Sequence, residues 1–182
     1  MIIDQDIYLR PLKHTDAQTI FEGIDSSRAH LRVWLPFVDK TQSVADSEAF
    51  IKSVLDHPPE QRDLVWTIWF QDHFAGLIGT NSLDHENQKS EIGYWLVQKF
   101  QGKGIMTRCV RSVMEHLFHH EHLNRIALKV APENHRSRNI PLRLGFSYEG
   151  LERQGEKLIN NRFVDIEIYS MLRREYYEHL PQ

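Results

Sequence analysis

The sequence predicts a mixed α/β fold, in which one sheet of both parallel and antiparallel strands carries helices on its faces. Three observations lead there. Strand-like segments with alternating or β-branched and aromatic residues recur along the chain. Apolar stripes of helical period lie between several of them. A glycine-containing loop joins one strand directly to the helix with the clearest apolar stripe, around Gly102 and Gly104.

Taken in order, residues 7–12 alternate as a first strand. A helix follows over 16–25, with Thr15 or Asp16 as N-cap. Residues 31–37 read as an irregular helical turn ended by Pro36. A further helix covers 43–56, its apolar side formed by Ala49, Phe50, Val54 and Leu55. The polar stretch 56–63, with Pro58 and Pro59, is too short to link two domains. Segments 64–70 and 74–81 form a hairpin through Gln71, Asp72 and His73, and a strand over 90–97 comes next. The helix after the glycine loop spans 104–119, where Met106, Val110, Val113, Met114 and Leu117 recur at helical spacing. Residues 125–130 alternate as a strand, and 134–144 form a helix stopped by Gly145. Two last strands, 146–152 and 163–171, turn at Asn160 and Asn161.

At 182 residues the chain fits one domain, expected over 1–182, with length enough for a real core. Hydrophobic residues make up 41% and charged residues 26%, the balance of an ordinary globular protein. A formal charge of −3 supplies no global field for nucleic acid, so no direct nucleic-acid binding is expected. Cys109 is the only cysteine, which excludes an intrachain disulfide and a cysteine zinc cluster. Residues 1–10 alternate apolar and charged and lack a signal-peptide core, and no run reaches the length of a membrane span. A reducing, cytoplasmic compartment is the expectation. Whether the chain forms a homo-oligomer is left open.

The segment Glu91-Ile-Gly-Tyr-Trp-Leu-Val-Gln-Lys-Phe-Gln-Gly-Lys-Gly-Ile-Met-Thr-Arg108 carries the most chemistry. A strand enters a short loop, and a helix follows at once. Free backbone N–H groups at a helix start, where the dipole is positive, form a site for phosphate or diphosphate. Glycine lets a ligand approach the main chain. Lys103 adds a cation to the same turn. The spacing is not that of a nucleotide P-loop, nor does it extend to the dinucleotide fingerprint. Taken alone, the loop also reads as an empty strand-to-helix turn.

Four motifs in order resemble the GNAT superfamily of acetyl-CoA-dependent N-acetyltransferases, in particular the RimJ/RimL group associated with ribosomal-protein acetylation. Leu9-Arg-Pro-Leu-Lys-His-Thr-Asp16 is similar to the family's opening strand and turn. Glu91-Ile-Gly-Tyr-Trp-Leu96 with Gln101-Gly-Lys-Gly-Ile105 is similar to its acetyl-CoA motif. Asn134-His-Arg-Ser-Arg138 with Leu144-Gly-Phe146 resembles its second cofactor motif. Arg162-Phe-Val-Asp165 with Tyr169-Ser-Met-Leu172 resembles its closing hairpin. The resemblance covers nearly the whole chain. It implies an α+β GNAT fold with a central, mostly antiparallel sheet of six to seven strands and helices on both faces.

It further implies that acetyl-CoA is the cosubstrate, with no metal, and that acetyl moves to a primary amine by direct attack in a ternary complex. The favoured acceptor is the N-terminal α-amine of a protein such as a ribosomal protein. A polyamine, an antibiotic amine or an amino acid is the alternative, as is an acyl-CoA sensor without turnover. Gln101, Gly102, Lys103, Gly104, Ile105 and Met106 are expected at the diphosphate. Main-chain groups of Leu96, Val97 and Gln98 are expected beside the pantetheine arm, polarising the thioester carbonyl. Met106 departs from the small residue of the family pattern, so its side chain must turn into the core. Pro141 stands where many members carry a tyrosine that protonates the departing thiolate, which leaves Ser137 or a water as donor.

Single residues keep two readings. Glu91 reads as the base accepting the amine's proton, or as a solvated strand-end carboxylate. A chain-terminal amine with a pKa of about 8 costs roughly 1 kcal/mol to neutralise at pH 7, and a lysine amine nearer ~5 kcal/mol. A water-relayed carboxylate therefore suits an N-terminal acceptor better. Asn134 reads as a ligand of the cofactor's amide-rich arm, as a helix N-cap, or both. Ser137 is a catalytic hydroxyl or a helix-surface one, and Arg138 a phosphate partner or a solvated arginine. Trp34, Pro36 and Phe37 line an acceptor pocket or simply pack an irregular helix, with His30 and Asp39 weaker candidates at the same rim. Cys109 fits a buried small hydrophobe better than a nucleophile. His116 and His120 share a helix face but lack a third ligand, so a solvated helix end is favoured over a metal site.

Overall fold

A computed structural model describes residues 1–58 and 62–178. Residues 59–61 of the expected polar stretch, Pro59 among them, lie outside the described residues. The described elements are β1 (Ile7–Pro11), α1 (Ala17–Asp25), α2 (Arg28–Leu31), α3 (Val44–Leu55), β2 (Val65–Phe70), β3 (His73–Asp84) and β4 (Lys89–Leu96), followed by α4 (Ile105–His119), β5 (Arg125–Val130), α5 (His135–Arg143), β6 (Ser147–Lys157), β7 (Phe163–Leu172) and α6 (Arg173–Glu178). The strands form one seven-stranded sheet in the order β1-β2-β3-β4-β5-β7-β6. This is the α+β GNAT fold.

Local chemistry accounts for the order. Gln71 and Asp72 join β2 to β3 with φ of 49° and 61°, the left-handed pair that a two-residue hairpin turn requires. Every neighbouring pair is antiparallel except β4 and β5. A parallel pair needs a long crossover, and α4 supplies it. The buried side of α4 contains Met106, Val110, Val113, Met114 and Leu117, the stripe expected from spacing, together with Ile105, Cys109 and Phe118. Burying one such side chain contributes about 1.5–3 kcal/mol, so α4 is a main anchor of the sheet.

Ring contacts fix the two faces. His116 of α4 meets Trp66 of β2 edge-on at 5.4 Å, which places α4 on the side of Trp66. On the other side Phe74 meets Trp95 at 5.9 Å. Gly23 of α1 lies so near that a Cβ there would come within 2.6 Å of Phe74, so only glycine permits this approach.

Several expectations are corrected. Asp16 does not cap α1 forward; its carboxylate accepts from the Lys13 N–H at 2.8 Å and from Arg10 at 2.6 Å, closing a single 3-10 turn (His14–Asp16). Pro36 opens a 3-10 turn (Pro36–Asp39) instead of ending a helix, because its missing N–H is no loss at a first turn. β6 runs on to Lys157, five residues beyond the expected end at Glu152, held by pairing with β7. α6 was not expected, and Tyr176 buries it against Phe118 with ring centroids 5.0 Å apart.

One irregularity positions the site. β4 and β5 pair only at Lys89↔Arg125, Ser90↔Ile126 and Glu91↔Ala127. Beyond Glu91 the two strands part, while β4 stays on β3 as far as Leu96 and β5 stays on β7 as far as Val130. The sheet is thus split from the middle of β4 to its end.

Candidate active site

The split leads to the start of α4. Gly102 and Gly104 have φ of 74° and 70°, the left-handed region where glycine is favoured. A Cβ at either would meet nothing within 4 Å, so the turn is open above the main chain. Gly104 occupies the cap position of α4 without a side-chain acceptor, and its C=O accepts from the Arg108 N–H at 3.2 Å. Among the described residues none accepts from the N–H groups of 102–107. Unpaired donors, a positive helix end and open space together fit a diphosphate.

Side chains brace this turn. Arg108 donates to Lys103 O at 3.1 Å and to Asp4 at 2.5 Å. Gln101 Nε2 lies 2.5 Å from His30 Nε2, and Gln101 Oε1 accepts from Arg136. Burial, and then the Arg136 charge, lower the His30 pKa, which suits a neutral ring accepting from Gln101. Met106 is 7% exposed, so its side chain does turn inward and leaves its N–H at the turn. Lys103 is placed differently from the expectation. Its ammonium lies over the Phe70 ring, 5.3 Å from the centroid, held by the ring's negative face.

A cavity of about 630 Å³ runs from the turn along the split, walled by His30, Trp34, Tyr94, Leu96, Asn134 and Ser137 among others. Of the three main-chain donors expected there, two are engaged within the protein. The Val97 N–H donates to Ala75 O at 2.8 Å and the Gln98 N–H to Ser27 Oγ at 2.9 Å. Since Val97 faces β3, alternation of an antiparallel ladder turns the Leu96 N–H and C=O toward the split. Asn134 caps α5, accepting from the Ser137 N–H at 3.4 Å. Ser137 Oγ lies 3.0 Å from Tyr94 Oη, and burial pushes the Tyr94 phenol up to about 12. Arg138 is not available to a phosphate in this arrangement. Its Nε donates to Glu167 at 2.6 Å, and the same carboxylate oxygen accepts from Tyr169 at 2.7 Å. Arg136 lines the cavity in its stead.

The opposite face of the split carries charge. Glu91 does not line the cavity; its carboxylate pairs with Lys129 of β5 at 3.5 Å. Glu156 on β6 is exposed at the surface, yet partial desolvation raises its pKa, the negative charge of Glu91 raises it further, and Lys129 opposes the rise. Trp34 packs on Ala131, Leu158, Val164 and Ile166 beneath the Arg162 guanidinium, 5.6 Å from its ring. Trp34 therefore both packs and lines the cavity. Phe37 is 41% exposed and lines none of it.

Cys109 and His116 have defined surroundings. Cys109 is fully buried, and burial pushes its thiol up to about 12, so it carries no thiolate at neutral pH. His116 pairs with Glu121 at 3.4 Å, and no group of three or more metal-ligating side chains occurs among the described residues. Tyr94, Lys129, Arg136 and Glu156 were missed in the sequence. Tyr94 left a trace there, as the central aromatic of the motif after Glu91, and so did Arg136, inside the motif that begins at Asn134.

The fold and this site define an acetyl-CoA-dependent N-acetyltransferase. The chain belongs to the GNAT family: residues 6–147 match the Acetyltransferase (GNAT) domain. It is 33% identical over 176 residues to the "Putative ribosomal N-acetyltransferase YdaF" of Bacillus subtilis (strain 168), covering 96% of this chain and 95% of that one. It is 27% identical over 158 residues to the spermidine N(1)-acetyltransferase of Escherichia coli (strain K12), covering 86% and 81%. Among solved structures, the microcin C7 self-immunity acetyltransferase MccE in complex with acetyl-CoA and AMP superimposes with a TM-score of 0.87 at 26% identity, covering 93% of this chain and 94% of that one. No helix among the described residues is long and apolar enough to cross a membrane.

Proposed function

We propose that this enzyme acetylates the α-amine of a protein N-terminus, a ribosomal protein being the favoured class, by direct attack in a ternary complex. The observation that carries the reading is the split between β4 and β5, with unpaired N–H groups at one end and a carboxylate pair on the far face. Acetyl-CoA supplies the activated acyl group. The N–H groups of 102–107 hold its diphosphate, Asn134 and the β4 edge flank the pantetheine arm, and the Leu96 N–H polarises the carbonyl. Holding both reactants in one channel supplies much of the acceleration.

Neither carboxylate lines the cavity, and of the two we take Glu156, which makes no direct ion pair among the described residues, as the base, reached through water. A base must be free of a tight cation and poised toward neutrality. Glu91 is held by Lys129, whereas the Glu156 pKa is raised. Glu91 then acts through its charge, keeping Glu156 basic. Ser137 places a hydroxyl at the cavity wall for the departing sulfur. Lys129 also cancels one of the two negative charges, leaving room for one ammonium. That suits a single α-amine more than a polyamine, although the named relatives include enzymes of both sorts.

The test is thiol release from acetyl-CoA with peptides of varied first residue and with spermidine. Peptides with a free α-amine should turn over faster than spermidine or the same peptides N-blocked. Faster turnover of spermidine would replace the acceptor with a polyamine, and release from no amine would remove the reading.

A further inference from the structure

The geometry points to Tyr94 as a positioning residue for the leaving sulfur: its phenol donates to Ser137 Oγ and so turns the serine proton into the cavity. The inference rests on the acetyl-transfer reading of the same site.

Tyr94 is on β4, two residues before Leu96, so both side chains point to one face and both main-chain edges face the split. Its hydroxyl lies 3.0 Å from Ser137 Oγ, and both residues line the cavity that starts at the glycine turn. Either oxygen could donate in that contact. A phenol is the stronger acid of the pair and therefore the better donor. Burial, which pushes Tyr94 up to about 12, keeps its proton in place throughout the neutral range. With Oγ accepting from Tyr94, the serine's own hydrogen must point elsewhere. No described residue accepts it. The direction left is the cavity beside the Leu96 edge, where the thioester sulfur is drawn.

Pro141, one turn beyond Ser137 on α5, carries no hydroxyl and no N–H. In that position it cannot compete for Ser137 Oγ or replace it as a donor. The donor pair therefore spans two elements, with the phenol from the sheet and the alcohol from the helix.

The step balances without a proton leaving Ser137. As the amine nitrogen bonds the carbonyl carbon and the C–S bond breaks, the bonding pair stays on sulfur. The Ser137 O–H hydrogen-bonds that sulfur while it is negative. The amine's proton passes to the Glu156 carboxylate and to solvent, and solvent finally protonates the sulfur.

The test titrates the thiol of CoA bound to the enzyme, followed by thiolate absorbance, so no acceptor is needed. Tyr94→Phe should raise the bound thiol's pKa by roughly half to one pH unit and Ser137→Ala by about one. The double variant should show no more than Ser137→Ala alone, since the two act in series. Placing 3-fluorotyrosine at 94, a better donor, should lower the bound thiol's pKa, a change of opposite sign that packing alone does not give. With a peptide acceptor, Tyr94→Phe should lower kcat about tenfold while KM for acetyl-CoA stays within about twofold. A bound thiol that titrates alike in wild type, Tyr94→Phe and the fluorotyrosine protein would overturn the inference, as would additive effects in the double variant. Absence of turnover with every amine would instead count against the acceptor reading and leave the thiol titration to decide on Tyr94.

Discussion

The two ends of the split differ in how they are built. The turn at 102–107 is made of main chain: two left-handed glycines, a helix start and N–H groups without acceptors. Its side chains are braces, as Arg108 and Gln101 show. The face we propose for the acceptor is made of side chains from three strands, Glu91 of β4, Lys129 of β5 and Glu156 of β6. Main-chain sites tolerate side-chain substitution and depend on conformation. Side-chain sites depend on charge and are open to retuning. The same fold can therefore keep one cosubstrate while its acceptor varies.

The largest effect should come from the acceptor face. Glu156→Gln should lower kcat by roughly 10²-fold or more, with CoA affinity unchanged in calorimetry. A Glu156→Gln enzyme of normal kcat, with Glu91→Gln inactive, would return the base to Glu91.

Next in size is the turn itself. Gly104→Val forces a β-branched residue into φ of 70°, and its side chain would stand in the open space above the turn. A left-handed residue costs about 1–2 kcal/mol, so CoA should bind roughly tenfold more weakly or worse. By contrast Lys103→Ala should change CoA affinity less than about twofold, since its ammonium is engaged by Phe70. Equal losses for the two variants would mean that charge, and not main-chain conformation, makes the site.

The smallest effect is a shift in pH dependence. The base must be ionised, so activity rises as pH passes through the Glu156 pKa. Lys129 lowers that pKa, so Lys129→Met should move the acidic limb of kcat/KM to higher pH. Glu91 raises it, so Glu91→Gln should move the limb to lower pH. Shifts of the same sign in both variants would separate Glu156 from the profile.

This contrast also explains what the sequence disclosed. The glycine turn, the α4 stripe and the hairpin at Gln71 and Asp72 depend on neighbours in the chain, and each could be placed from spacing. Asn134 could be too, as a cap three residues before Ser137. The split could not, because it is an absence of pairing between β4 and β5, whose first partners, Lys89 and Arg125, are separated along the chain by the whole of α4. Glu156 was hidden for the same reason: its raised pKa comes from partial desolvation and then from Glu91, both set by strand order. Arg138 was misplaced because its partner Glu167 is on strand β7, 29 positions on. Lys103 was misplaced because Phe70 reaches it across the fold.

The central claim is that bare N–H groups at the start of α4 hold the diphosphate. Titrating ¹⁵N-labelled protein with CoA and following its amide resonances tests it most directly. The amides of 102–107 should move downfield and lose exchange with water, in proportion to the bound fraction, while pantetheine without the diphosphate leaves them in place. Saturation with CoA that leaves those amides unmoved would contradict the account.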